Sequence, residues 1–245
     1  MIRRRMKEPD RRDSILDAAT TVFAEGGFGR TTTNDLAQAA GVSPALLYRH
    51  FPSKEALHKA VLQRMVSQQD ESHERYGRLE PSTKGIFTML SRFMTLCAHT
   101  PSSPRARRGT KLLLLSLAGD NEFAKLTFSR AAQLNGPPLK AALAAAEAAG
   151  DLDPKRRLDP DNAQWFIYGV GQTIAHALLT GSFVIPYKGS KADIVKQAVI
   201  FCARALGFTD KAIERHYVAN PLTASRRKPV PAAKAAPNKP TRRKA

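Results

Sequence analysis

Apolar residues recur along the chain at the spacing of an α-helix, and alternating apolar and polar runs are scarce. Within positions 11–25 one helical face carries Ile15, Ala18, Ala19, Val22 and Phe23. Similar stretches predict further helices near 33–40, 44–50, 54–75, 82–99, 105–118, 121–149, 160–180, 190–207 and 209–217. The pattern therefore predicts an all-α fold.

Helix caps and helix breakers divide the first 55 residues into short helices. Gly26-Gly27 is predicted to end the first helix, and Thr32 or Thr33 to cap the second. Gly41 supplies a tight turn, and Ser43 caps a third helix of only seven residues. Such a helix is too short to be stable alone, so its neighbours must hold it in place.

The chain divides into four parts by composition. We expect a basic N-terminal arm at 1–9, a three-helix unit at 10–55, a larger helical domain at 56–220 and a tail at 221–245. In the larger domain, Gly136-Pro137-Pro138 is expected to kink or break the 121–149 helix. The tail has five Pro, eight Lys or Arg and no acidic residue, and this composition predicts disorder.

The charge balance points to a polyanionic partner, either nucleic acid or an anionic membrane surface. The formal net charge is +18, of which the 221–245 tail supplies +8 and residues 1–12 supply +4. Apolar runs such as Leu112–Leu115 are far too short to span a bilayer, and no signal-peptide pattern follows the basic N-terminus. Cys97 and Cys202 stand apart in apolar surroundings, which is typical of reduced cytoplasmic proteins.

Residues 11–51 match a helix-turn-helix DNA-binding unit in outline, with the 44–50 helix as the recognition helix. Two helical turns are enough to enter a major groove. Leu47 and Phe51 are four positions apart and are predicted to point inward with Leu36 and Val42. The residues predicted to face outward are Pro44, Ala45, Leu46 and Arg49.

Polar side chains flank the predicted recognition helix where phosphates would pass. The expected phosphate contacts are Ser43, Tyr48, His50 and Lys54, with Thr33 and Asn34 reaching the backbone from the second helix. Polar base readout is assigned to Arg49, Asn34 or Thr33, because Pro44, Ala45 and Leu46 can offer only apolar contact. Taken singly, Tyr48 also fits a half-buried core position and His50 a solvated or capping one.

The stretch "TTTNDLAQAAGVSPALLYRHFPSKEAL" resembles the N-terminal domain of TetR-family transcriptional regulators. The shared features are Ala-Gly-Val-Ser at the turn, Leu-Tyr-x-His-Phe ending the recognition helix, and Ser-Lys-Glu-x-Leu opening the next helix. The resemblance covers 10–65 closely and extends beyond only in layout. It implies a larger helical domain that holds a small-molecule effector and forms a homodimer. Ala45 and Leu46 depart from the Gly and Thr of many relatives.

The larger domain is rich in aromatic and Met side chains that could wall an apolar cavity for an apolar or aromatic effector. Gln172 and His176 lie one turn apart beside Trp165 and Tyr168, which makes that helix face the best candidate. Ordinary core packing is the alternative for most of these residues. The full predicted effector set is Phe93, His99, Phe128, Trp165, Tyr168, Gln172 and His176.

Patterns of enzyme chemistry are weak. Cys97-Ala98-His99 has no further metal ligands near it in sequence. Gly169-Val170-Gly171 lacks a third Gly at the spacing of a dinucleotide-binding loop and lies in a helical pattern. We therefore predict no enzyme activity, no metal and no cofactor.

Two functions remain open. The first is a ligand-responsive transcriptional repressor that binds a pseudo-palindromic operator as a homodimer and releases it when an effector binds. The second is a non-specific architectural DNA-binding protein that uses its basic tails. The homodimer is expected to form through the helices near 160–180 and 190–207. The small and apolar residues assigned to that interface are Gly169, Gly171, Ala175, Ala177, Ile194, Val195, Ala198, Val199 and Cys202.

Overall fold

The computed structural model describes residues 8–76, 79–153, 155 and 158–217, and this part of the chain is helical. Its helices are α1 Glu8–Arg30, α2 Thr33–Ala40, α3 Pro44–His50, α4 Lys54–Tyr76, α5 Thr83–Ala98, α6 Pro104–Leu117, α7 Glu122–Ala148, α8 Pro160–Ala177, α9 Lys191–Ala205 and α10 Asp210–His216. An isolated β-bridge joins Leu152 to Phe208, and the described residues form no longer strand. The all-α prediction is confirmed. Of the basic arm predicted at 1–9, Glu8 and Pro9 belong to α1, and residues 1–7 lie outside the described residues, as does the 221–245 tail.

The first helix is interrupted at the predicted glycines, and a short helical segment that was not predicted follows. Gly27 has a positive φ of 71° and kinks the helix, but helical backbone resumes and continues to Arg30. Glycine adopts this conformation without the clash that a Cβ would cause. Thr32 then caps α2 by a capping box, in which its hydroxyl accepts from the Asp35 N–H and the Asp35 carboxylate accepts from the Thr32 N–H.

The prediction of a break in α7 at Gly136-Pro137-Pro138 is wrong. One continuous helix runs through Pro137 and Pro138 to Ala148. Gly136 is buried beside the Gln164 side chain of α8, where a larger residue would meet that neighbour. Beyond the prolines the buried residues are Leu139, Ala142, Leu143 and Ala146. Their burial outweighs the roughly 3 kcal/mol cost of a proline inside a helix.

Two apolar cores fill the molecule. The C-terminal core joins α5, α7, α8, α9 and α10, and includes Phe87, Leu90 and Met94 with no exposed surface. The N-terminal core joins α1, α2, α3 and α4 but also contains side chains of α6 and α7. Those side chains are Leu112, Leu113, Phe123 and Ala124. The position of the three-helix unit is therefore fixed by packing against α6 and α7.

Asp151, in the link between α7 and α8, is a buried carboxylate that fastens α10 to the body. The Thr83 hydroxyl of α5 donates to it at 2.7 Å, and the Arg215 guanidinium and His216 ring of α10 lie 3.4 and 3.5 Å away. Buried charge is tolerated when it is paired and hydrogen-bonded in this way. None of the helices in the described ranges combines the length and apolar character that crossing a bilayer requires.

Candidate nucleic-acid interface

The turn between α2 and α3 depends on two residues. Gly41 ends α2 in the left-handed region at φ 62°, and its N–H donates to the carbonyls of Ala37 and Gln38. The Ser43 hydroxyl then accepts from the Leu46 N–H at 3.2 Å and starts α3. Pro44 occupies the first turn of α3, where its missing N–H costs no hydrogen bond. The turn sets α3 against α2 as a helix-turn-helix unit requires.

The orientation of α3 follows the predicted pattern. Leu47 and the following Phe51 are each 3% exposed and belong to the N-terminal core, where Leu36 is also buried. The opposite face is exposed at Pro44, Ala45, Tyr48 and Arg49, and Leu46 and His50 are half-buried. Leu47 and the adjoining Phe51 thus anchor α3 and leave four of its residues exposed, whereas Leu46, which was predicted to face outward, is half-buried.

Tyr48 and Thr33 meet on the exposed side of the unit. The Tyr48 hydroxyl lies 3.1 Å from the Thr33 hydroxyl, which links α3 to the first turn of α2. Tyr48 is 47% exposed, so it is not a core residue. Asn34, next to Thr33, is also exposed. Each hydroxyl keeps further hydrogen-bonding capacity after this contact, so the pair can still bind a phosphate oxygen.

Lys54 has partners that its sequence position did not reveal. Its ammonium donates to the carbonyls of Phe28 at 3.2 Å and Thr31 at 3.1 Å, and it lies 4.2 Å from the Phe28 ring centroid. These contacts fasten the first turn of α4 to the chain segment that follows the kink in α1. A phosphate contact through the third N–H of Lys54 stays a prediction.

Replacing Lys54 by Met is expected to lower the free energy of unfolding by about 1–3 kcal/mol, because two carbonyls lose a charged donor while the apolar stem over Phe28 is kept. Chemical denaturation measures the change. Lys59→Met is the matched control, since Lys59 is exposed on the same helix. Equal stability of the two variants would contradict a structural role for Lys54.

Arg12 is a candidate that the motif did not include. Its guanidinium carbon lies 4.5 Å from the centroid of the Phe51 ring, and its side chain is exposed. The contact places a positive charge of α1 beside the C-terminal end of α3. The spacing of Arg12 and Phe51 along the chain is too long for a local pattern to have indicated it.

Comparison with known proteins identifies this unit. Residues 15–61 match the family model of bacterial regulatory proteins of the tetR family. The N-terminal domain is a tetR-family domain. A curated relative, the HTH-type transcriptional repressor KstR2 of Rhodococcus jostii, is 48% identical over 52 residues, which is 21% of this chain and 26% of that protein. The alignments with the first three curated relatives cover 26%, 56% and 28% of their lengths.

Solved structures share the fold over most of the chain. A tetR-family bacterial regulatory protein from Rhodococcus RHA1 has a TM-score of 0.59 at 19% identity, covering 84% of this chain and 100% of its own. SmeT, the repressor of the Stenotrophomonas maltophilia efflux pump SmeDEF, has a TM-score of 0.59 at 20% identity, covering 85% of this chain and 94% of its own. The helices beyond the tetR-family domain therefore have the arrangement of these structures.

Four of the predicted effector residues form an aromatic cluster between α5, α7 and α8, namely Phe93, Phe128, Trp165 and Tyr168. Phe93 of α5 stacks on Tyr168 of α8 at 6.2 Å between ring centroids. Phe128 of α7 meets Trp165 at 5.8 Å and Tyr168 at 5.5 Å, both edge to face. The rings pack on one another. Two clefts among the described residues lie elsewhere, and neither is lined by a residue of the predicted set.

The polar members of the predicted set are not all in that cluster. His99 is exposed after α5, and its Nδ1 is 2.8 Å from the Thr95 carbonyl oxygen. Gln172 and His176 are half-buried on α8. Burial lowers the pKa of His176, and its Nε2 has no hydrogen-bond partner among the described residues. His176 therefore favours the neutral form and can offer a polar contact inside the domain.

The residues predicted for the dimer interface are mostly used inside the chain. Gly171 lies under Phe93 and Cys97 of α5, so close that an added Cβ would clash with the Phe93 ring. Of the other residues of that prediction, Ala177 is buried, and the members of the C-terminal core are Ala175, Ile194, Ala198, Val199 and Cys202. That part of the prediction is wrong, because helical spacing identifies an apolar face but not which element covers it.

The two cysteine thiols are unreactive, and the possible metal ligands among the described residues are not grouped. Burial raises the pKa of both Cys97 and Cys202 to about 12, which keeps the thiols protonated at neutral pH. Across the described ranges, no three His, Cys, Asp or Glu side chains are grouped so that they could hold a metal ion.

Proposed function

We propose that this protein is a DNA-binding transcriptional regulator whose α3 enters the major groove. The observation that carries the proposal is the display of α3: Leu47 is buried, and Pro44, Ala45 and Arg49 are exposed on the opposite face. The match of residues 15–61 to the tetR family supports it. Arg49 offers several N–H donors at this surface, and Arg is the residue that pairs most often with guanine.

The surroundings of α3 suit contacts with phosphates. The Tyr48 and Thr33 hydroxyls face outward as a pair, and Ser43 is exposed at the start of the helix. Such contacts fix the register of a protein on DNA but carry no sequence information. Polar base readout is therefore assigned to Arg49, Asn34 or Thr33. Apolar contact with the bases is assigned to Pro44, Ala45 and Leu46.

We assign the homodimer interface to the outer face of α8 and α9. Phe166 is 58% exposed and Phe201 is 63% exposed, and both line a small apolar cleft of about 20 Å³. Large exposed aromatic side chains beside an apolar cleft favour burial against a partner. A two-fold axis here would make an isologous contact, the commonest kind, and a homodimer supplies the two copies of α3 that a pseudo-palindromic operator requires.

We assign effector binding to the aromatic cluster of Phe93, Phe128, Trp165 and Tyr168. The rings contact one another at 5.5–6.2 Å between centroids, so an apolar or aromatic ligand that enters between them must separate α8 from α5 or α7. A ligand that binds the opened state better than the closed one shifts the protein toward it. Because α6 and α7 pack into the core of the tetR-family domain, that shift moves the DNA-binding helices. This supports a repressor that releases DNA on effector binding.

Selection of DNA from a random pool with the full-length protein tests the function. We expect enrichment of a pseudo-palindrome with affinity about 10³-fold or more above random DNA. Half-sites one helical turn apart, about 10 base pairs, or a multiple of this are expected. Equal affinity for all sequences would instead support the architectural DNA-binding alternative.

Deletion of 221–245 separates the role of the basic tail from that of α3. The tail is expected to add a sequence-independent contribution, so affinity for the selected operator and for random DNA should fall by similar factors. The loss should be large at about 50 mM salt and small at about 300 mM. Unchanged binding to random DNA at low salt would show that the tail does not contact DNA. Loss of operator preference would show that it reads sequence.

A further inference from the structure

A polar cleft lies where the tetR-family domain meets α4 and α6. It has a volume of about 80 Å³ and is walled by one helix of the DNA-binding unit and two helices of the body. The lining residues are Asp17 and Thr20 of α1, Arg64, Met65 and Gln68 of α4, and Arg105 and Arg108 of α6. The cleft lies on neither the exposed face of α3 nor the aromatic cluster.

The cleft carries an excess of positive charge. Arg64 is already satisfied, since it donates to the Asp17 carboxylate at 2.9 Å and to the Asp13 carbonyl at 3.2 Å. Arg105 donates from Nε to the Gln68 amide oxygen at 2.8 Å, a neutral partner. Asp17 is the one carboxylate among the lining residues, and its Oδ1 is bound by Arg64, so three guanidinium groups face a single acidic side chain.

Arg108 is the decisive residue. Its Nε is buried, and the described residues provide it with no hydrogen-bond acceptor. A buried N–H of a charged group is costly when it is left without an acceptor, and buried cations are normally paired. The Thr20 hydroxyl donates to the Leu16 carbonyl at 2.6 Å within α1, and its oxygen does not accept from Arg108 Nε. The cleft therefore offers positive charge and an N–H donor without a matching acceptor among the described residues.

We propose that this cleft binds an oxyanion, the carboxylate or phosphate group of a small molecule, between Arg105 and Arg108. Guanidinium groups bind both anions with paired, charge-assisted hydrogen bonds. The volume suits one such group, given that a water molecule occupies about 30 Å³ in the liquid. The bound anion would join α6 to the helix that begins the DNA-binding unit. The assignment is independent of whether the chain regulates transcription.

The test uses the full-length protein without DNA. Sodium chloride is replaced by sodium phosphate, or in a second series by sodium acetate, at constant ionic strength, and the melting temperature is followed. At about twenty times the dissociation constant, we expect at least one anion to raise the melting temperature by about 4 °C. Arg108→Gln and Arg105→Gln should each abolish the rise. Arg107→Gln is the matched control, because Arg107 lies on the same helix outside the cleft.

Each outcome decides the proposal. A rise in the wild type and the Arg107→Gln variant, lost in the other two, supports it, and the anion that causes the rise identifies the group. The wild type and the three variants share the same basic tail and the same α3 face. Phosphate that binds at those places would therefore raise the melting temperature of all four proteins equally. An equal rise in all four, or no rise in the wild type with either anion, would overturn the proposal. Arg105 is exposed, so its variant remains informative even if Arg108→Gln disturbs folding.

Discussion

Arg49→Ala is expected to lower affinity for the selected operator by about 10- to 100-fold, which is the range for losing one well-formed base contact. The side chain is exposed on α3 and belongs to neither apolar core, so stability should stay within about 0.5 kcal/mol of the wild type. Repeating the DNA selection with the variant should show relaxed preference at one position of each half-site.

Lys125→Ala is the control for Arg49→Ala. It removes one positive charge from an exposed position on α7 and leaves α3 unchanged. Competition binding with the operator and with random DNA separates the two variants. A uniform loss on all sequences with Arg49→Ala would assign Arg49 to phosphate contact, and base readout would then fall to Asn34 or Thr33.

Phe201→Asp is expected to convert the dimer into a monomer at micromolar concentration. A carboxylate at a 63% exposed position costs the single chain little but is unpaired in an apolar interface. Because two tethered recognition helices bind far more tightly than one, operator affinity should fall by about 10²- to 10⁴-fold. Analytical ultracentrifugation and operator titration measure the two effects.

Val184→Asp is the matched control for Phe201→Asp. Val184 is 67% exposed in the segment between α8 and α9, and it does not line the α8–α9 cleft. It should leave both the dimer and operator binding intact. If the Phe201→Asp protein stays dimeric, the outer face of α8 and α9 is not the dimer interface. If it is monomeric with full operator affinity, dimerisation is not needed for operator binding.

Local sequence determined the helix-turn-helix unit almost completely. Gly41 permits a left-handed turn, Ser43 caps α3, and the four-residue spacing of Leu47 and Phe51 selects its buried face. Each of these effects acts between residues close in sequence, and each is set by backbone geometry or by helical period. Six of the ten expected contact residues are therefore exposed as predicted, whereas Thr33, Leu46, His50 and Lys54 are half-buried.

Contacts between distant segments needed the tertiary structure. Lys54 reaches the end of α1, 23 and 26 residues earlier, and no local pattern predicts which carbonyls its ammonium meets. Arg64 and Arg105 show the same limit, since one pairs with α1 and the other with α4. The cleft around Arg108 exists only because three helices from separate parts of the chain converge there.

The two wrong predictions have one cause. Proline propensity indicated a break in α7, but burial of the residues that follow Pro138 keeps the helix continuous. Small residues of α8 suggested a face for a second subunit, but Phe93 and Cys97 of the same chain cover Gly171. By itself, the sequence determined the helices, their caps and the face of α3 that is exposed, because these depend on short-range geometry. Only the tertiary structure decided which apolar faces meet within one chain. The free energy gained by burying an apolar face depends on the surface that covers it, and the sequence of one helix does not specify that surface.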